Sequence, residues 1–183
     1  MHSWTNAALD LLRQVQDPEA DLLIESEIAA GRLRNLYAFL GDRGPAGPEV
    51  QKWLMENRSF SADPARMLRG QRLYGRYAIQ AMLALLCKGL PEAYAAPRGA
   101  AILLVSGRFA SEPRVRLMET ARFFQAVMEP GALADEGSAA VLEIQKVRLV
   151  HASARVYIQK NPEYRSEYGA PINQEDLLGT LMS

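Results

Sequence analysis

Between Ser138 and Lys160 the apolar side chains repeat at three- and four-residue spacing on two faces at once, which constrains the fold more than any other stretch. At about 100° per residue, Ile144, Val147, His151, Ala154 and Ile158 fall on one stripe. Leu142, Leu149 and Val156 form a second stripe on nearly the opposite side. A helix apolar on two flanks is packed between neighbours, so this segment is expected to be the buried central helix of the fold and to carry His151. The same spacing recurs in most other segments and strand-like alternation is almost absent, so the sequence predicts an all-α fold. A chain of 183 residues fits one domain, and residues 1–183 read as a single mainly helical unit without repeats or a linker.

Punctuation residues divide the rest. The spacing predicts a short helix from about Thr5 to Val15 and one longer helix from about Pro18 to Leu40, ended by the glycine-rich Gly41 to Gly47. Pro48 is a first-turn proline for a helix through Glu56, and Asp63 with Pro64 opens a long helix towards Lys88. Leu68, Tyr74, Ala78, Met82 and Leu85 are its expected buried stripe. The compact stretch Ala100 to Phe109 is read as a helix, although periodicity does not separate that from a buried strand at this length. Pro113 starts a helix through Met128, Pro130 and Gly131 break it, and Ser138 caps the central helix. Asn161 to Tyr168 reads as a polar connection, and Asn173 caps a final helix with Glu175 and Asp176 in its first turn.

Charge and composition remove several function classes. With 21 basic and 21 acidic residues there is no overall excess to draw the chain to nucleic acid or an anionic membrane. Met1 to Asp10 does not resemble a secretory leader, and the longest nearly apolar run, Ala81 to Cys87, is far shorter than the roughly 20 residues of a membrane span. The expectation is a soluble, cytoplasmic protein with no transmembrane segment. Cys87 is a lone cysteine among apolar neighbours and is expected to be a buried thiol. With only His2 and His151, paired Glu-x-x-His di-iron sites and multi-histidine zinc sites are excluded. Phosphate-binding loops, dinucleotide fingerprints and nucleophile elbows are also absent. Basic residues are scattered rather than gathered on one recognition helix, which leaves a DNA-binding regulator a weak third reading.

Two helices carry residues with chemical potential. Arg148 and Arg155 lie three residues before and four after His151, so an imidazole and two guanidinium groups project side by side and can meet one ligand. Such a set suits an iron ligand with anionic side groups, although a histidine in an apolar stripe is more often a hydrogen-bonded core residue. On the helix from Pro113, Arg116 and Thr120 share a face with Leu117, Phe123, Phe124 and Val127. The plain reading there is that Thr120 bonds back to the Arg116 carbonyl while Arg116 snorkels or pairs with a carboxylate.

The order of these features resembles a known family. Arg116 to Thr120 gives Arg-x-x-x-Thr, followed by Pro130 and Gly131. Val147 to Arg155 then gives Val-Arg-Leu-x-His-Ala-x-x-Arg, and Gly169 to Asp176 gives Gly-x-Pro-Ile-x-Gln-Glu-Asp. Together they resemble the rubber oxygenase (latex-clearing protein) catalytic domain and the wider MpaB-type oxygenase family. Asp63, Gly70, Leu90 to Tyr94 and Ser106 to Phe109 add to the likeness, which is most specific after Pro113. The resemblance implies a globin-like helical fold holding haem b, with His151 as proximal iron ligand and Arg148 or Arg155 against the propionates. It implies Arg116 and Thr120 on the opposite, dioxygen-binding side, and an apolar, unsaturated or isoprenoid small molecule as substrate. Glu119 stands where the polyisoprene-cleaving enzymes have a lysine able to cap the iron, so a lysine-ligated state is ruled out at that position. Relatives continue through further helices where this chain stops at Ser183, so a C-terminally incomplete domain is expected. The competing expectation is a non-catalytic helical scaffold, or a fragment of such a domain without haem.

Overall fold

The computed structural model describes residues 5–58, 63–95, 97, 101 and 113–182, with backbone only at 93, 94, 113–117, 165 and 180–182. All regular elements among the described residues are helical. The first four are α1 (Asn6–Leu12), α2 (Pro18–Ala29), α3 (Leu33–Leu40) and α4 (Pro48–Glu56). Next, α5 (Pro64–Ala84) runs through a π-turn (Leu85–Gly89) into α6 (Leu90–Ala95). The last are α7 (Pro113–Met128), α8 (Ala139–Ile158), α9 (Pro162–Tyr168) and α10 (Gln174–Met182). The all-α expectation is met.

Capping chemistry explains where the helices begin, because a side-chain oxygen satisfies a first-turn N–H that has no intrahelical partner. Thr5 Oγ1 accepts from Ala8 N at 3.2 Å and Asp17 Oδ1 from Ala20 N at 3.3 Å. Asp63 Oδ1 accepts from Ala65 N at 2.9 Å, Ser138 Oγ from Val141 N at 3.3 Å and Asn173 Oδ1 from Asp176 N at 2.9 Å.

Several expectations are corrected. The single helix from Pro18 to Leu40 is two, because Gly31 adopts φ +68° and the Arg32 amide closes onto Glu27 O at 2.9 Å, ending α2. The segment from Asn161 to Tyr168 is helical rather than a connection. There Asn161 Oδ1 accepts from Glu163 N at 3.0 Å and Tyr164 N at 3.2 Å, with Pro162 in the first turn. The first helix stops at Leu12 instead of Val15. The long helix from Pro64 bends at Tyr77 (φ −122°, ψ 26°) and passes into the π-turn at Leu85. Its expected stripe is only half-buried, and within α5 the buried residue is Gln71. Cys87 is exposed, not buried, because it lies on the outward side of the π-turn. The reading of Ala100 to Phe109 lies outside the described residues, apart from Ala101, which is helical.

The core forms where α8 crosses the N-terminal helices. Leu149, Ala152 and Val156 interlock with Ala20, Leu23 and Ile24 of α2, Leu36 and Phe39 of α3, and Val50, Trp53 and Leu54 of α4. Gln145 donates to Leu54 O at 2.9 Å and so satisfies a carbonyl at the end of α4. At the other end of α8, Ile158 joins Tyr164 and Ile172 in a second cluster that also takes in Ala154, Tyr168 and Leu177. Helix α8 therefore links both apolar clusters while α7 packs along another side of it. This is the central position its two stripes imply.

Candidate functional site

Helix α8 sets out the candidate side chains. His151 lies half-buried on the stripe with Ile144, Val147 and Ala154, away from the fully buried Leu149 and Ala152. Its arginine neighbours turn towards α2. Arg148 Nε donates to Asp17 Oδ2 at 2.7 Å and Nη2 to Asp17 Oδ1 at 3.0 Å, a two-pronged pair, with Glu19 at 3.6 Å. Its guanidinium carbon stands 4.9 Å from the Trp53 ring centre, so the cation also lies over an aromatic face. Burial alone pushes the Asp17 carboxyl up, but the hydrogen bond and charge of Arg148, with the Ala20 amide, outweigh it and hold the pKa below its ordinary value. The hydrogen bond to Asp17 likewise raises Arg148.

Arg155 is 2% exposed and spans two elements. Its Nε donates to Asp21 Oδ1 at 2.8 Å, and Nη2 lies 2.7 Å from the same oxygen without hydrogen-bond alignment. Its Nη1 reaches Ile172 O at 3.5 Å. Ile172 has φ +47°, a left-handed conformation that a β-branched residue rarely adopts. Gln16 Nε2 donates to Pro171 O at 2.7 Å, and Gln174 N donates to Val15 O at 2.9 Å. Asn173 Nδ2 closes onto Ala170 O at 2.8 Å. The segment from Gly169 to Asp176 is thus clamped between the α1–α2 link and Arg155. Two motifs distant in sequence meet at this contact.

On α7, Thr120 and Glu119 are exposed, and the Arg116 side chain lies outside those described. Glu119, exposed on α7, has the setting of a surface charge. The structure brings α7 beside α8.

Surface hollows open beside α8 and the Gly169 to Pro171 segment. One, of about 400 Å³, is polar and lined by Gln14, Gln16, Gln159, Gly169, Ala170 and Pro171. The other, of about 380 Å³, lies between Glu25, Ile28, Ala29, Val156, Gln159 and Lys160. His151 lines neither. Among the described residues no three His, Cys, Asp or Glu side chains gather to hold a bare metal ion. A haem needs only one protein ligand, because the porphyrin supplies the equatorial nitrogens. The donor set therefore fits haem in its chemistry, with one half-buried imidazole in an apolar stripe.

The profile of the family described as ER-bound oxygenase mpaB/B'/Rubber oxygenase, catalytic domain, matches residues 72–183. The chain belongs to this family. Thr120, Arg148, His151 and Arg155 all lie in the matched stretch of this oxygenase family, whereas Asp17 and Asp21, which hold the two arginines, precede it. Sequence reading missed those two carboxylates. Their signal was present, since acids one turn apart on α2 complement arginines two turns apart on α8, but which helices pair is not encoded in either periodicity. Comparison with curated proteins and with solved structures found no match. No helix among the described residues is long and apolar enough to cross a membrane.

Proposed function

We propose that this oxygenase-family chain is a single-domain, cytoplasmic, haem b-dependent oxygenase or oxidoreductase that uses dioxygen on an apolar, unsaturated or isoprenoid small molecule. The observation that carries the reading is His151: an imidazole on the half-buried apolar stripe of the central helix, inside the family-matched stretch. Haem, when bound, supplies the redox chemistry with dioxygen.

The protein's own groups hold and shape that site. His151 offers a neutral ring nitrogen to iron. Arg148, whose side chain is 31% exposed, is the arginine able to share its charge between Asp17 and a propionate. Arg155, locked between Asp21 and Ile172 O, keeps α8 and the Pro171 to Asn173 segment in register. Arg116 and Thr120, one helical turn apart on α7, take the role of hydrogen-bonding to dioxygen or ordered water.

The test is oxygen uptake by hemin-loaded protein supplied with an unsaturated hydrocarbon such as squalene. Uptake that needs both hemin and hydrocarbon, and that falls about a hundredfold in Arg116→Ala, is the expected result. Substrate-independent uptake, unchanged by Arg116→Ala and Thr120→Ala, argues against it. The second reading, a scaffold without haem, draws on the engagement of both Arg148 and Arg155 by carboxylates. It requires a folded protein that leaves hemin unbound.

A further inference from the structure

From Pro64 to Pro91 the chain holds five of its 21 basic residues and none of its 21 acidic ones. Arg66, Arg69, Arg72 and Arg76 are all exposed along the first half of α5. The rest of the same outward surface carries bulky apolar groups: Leu73 is 62% exposed, Ile79 75% and Leu83 55%, with Tyr77 and Leu86 beside them. The opposite side of α5 is fixed to the fold. There Gln71 donates to Val127 O at 2.8 Å and accepts from Gly131 N at 2.9 Å, tying α5 to the end of α7. Among the described residues the ion pairs on this helix and its continuation lie at the two ends, Arg66 with Asp63 at 3.7 Å and Lys88 with Glu92 at 2.7 Å.

We propose that the outward face of α5 and its π-turn docks on an anionic lipid surface, with Arg69, Arg72 and Arg76 on headgroup phosphates and carboxylates and Ile79, Leu83 and Leu86 in the acyl boundary. A helix that combines a row of arginines with exposed aliphatics has the two components interfacial binding needs: charge attraction to anionic headgroups and burial of apolar area just beneath them. Nucleic acid satisfies the arginines but gives Ile79 and Leu83 no apolar partner. A symmetric contact between two copies covers the aliphatics but offers the arginines no anion, because the stretch from Pro64 to Pro91 holds no acidic residue. The neutral total charge conceals this face, because the compensating acids lie on other elements.

Flotation of the full chain with phosphatidylcholine vesicles, with and without about a third phosphatidylserine, tests the proposal. Binding to the anionic vesicles that declines with salt is expected. Exchanging all three arginines (Arg69→Gln, Arg72→Gln, Arg76→Gln) lowers the partition coefficient ~100-fold. The pair Ile79→Ser and Leu83→Ser lowers it while leaving the salt dependence in place. All five positions are exposed and leave the Gln71 anchor untouched, and circular dichroism checks that each variant stays helical. No binding to either vesicle, or equal binding to both that ignores the arginine exchange, overturns the proposal. Self-association that Ile79→Ser and Leu83→Ser abolish, in a chain that ignores vesicles, assigns the face to a second copy and overturns it as well.

Discussion

The carboxylate of Asp17 caps α2 through the Ala20 amide and also takes both Nε and Nη2 of Arg148. Burial pushes that carboxyl up, and the bonds to Arg148 and the Ala20 amide pull it further down, so its folded pKa lies below the unfolded value of about 3.9. A carboxyl lowered in this way contributes stability that is whole above about pH 4 and is lost as pH falls through the folded pKa. Asp17→Asn is expected to cost about 1–2 kcal/mol at neutral pH and to flatten the loss of stability below pH 4, measured by urea unfolding across pH. An acid limb as steep as the parent's would show that Asp17 contributes nothing to it. At this scale the sequence disclosed the arginines but not their partners. Spacing within α8 places Arg148 and Arg155 beside His151, whereas the crossing of α8 over α2, a property of the packed core, turns both towards Asp17 and Asp21.

Helix boundaries were legible where a cap and a proline stand together. Asp63 with Pro64 and Gly47 with Pro48 mark starts that the structure keeps. Asn161 with Pro162 is the same signal, overlooked because the residues that follow are mostly polar, although Tyr164 and Tyr168 pack on the second core cluster. The break between α2 and α3 rests on one glycine inside an otherwise continuous apolar period. A Cβ on Gly31 meets nothing within 4 Å, so its requirement is conformational alone, set by φ +68°. Gly31→Ala is therefore expected to cost about 1 kcal/mol and to lower the melting temperature by a few degrees. Gly75→Ala, inside α5 with equally open space and no positive φ, should not lower it. Equal effects at the two glycines would assign the α2–α3 break to packing instead of backbone conformation.

Across the whole molecule, the all-α class and the central place of α8 follow from its two apolar stripes, because only a helix enclosed on both flanks profits from them. The sequence did not disclose how unevenly those flanks are enclosed. Leu149 and Ala152 are sealed into the main core, while on the other stripe Ile144, Val147, His151 and Ala154 are half-buried and Ile158 is sealed. That unevenness is what a ligand-bearing face needs, since a fully sealed imidazole leaves no room for a cofactor. The central claim, iron ligation by His151, is tested most directly by the visible absorption spectrum of the purified chain titrated with hemin, parent against His151→Ala. Iron ligation by His151 gives a Soret band in the parent that shifts or disappears in the variant. A folded parent that gives no such band, or a band identical in the two proteins, would contradict it.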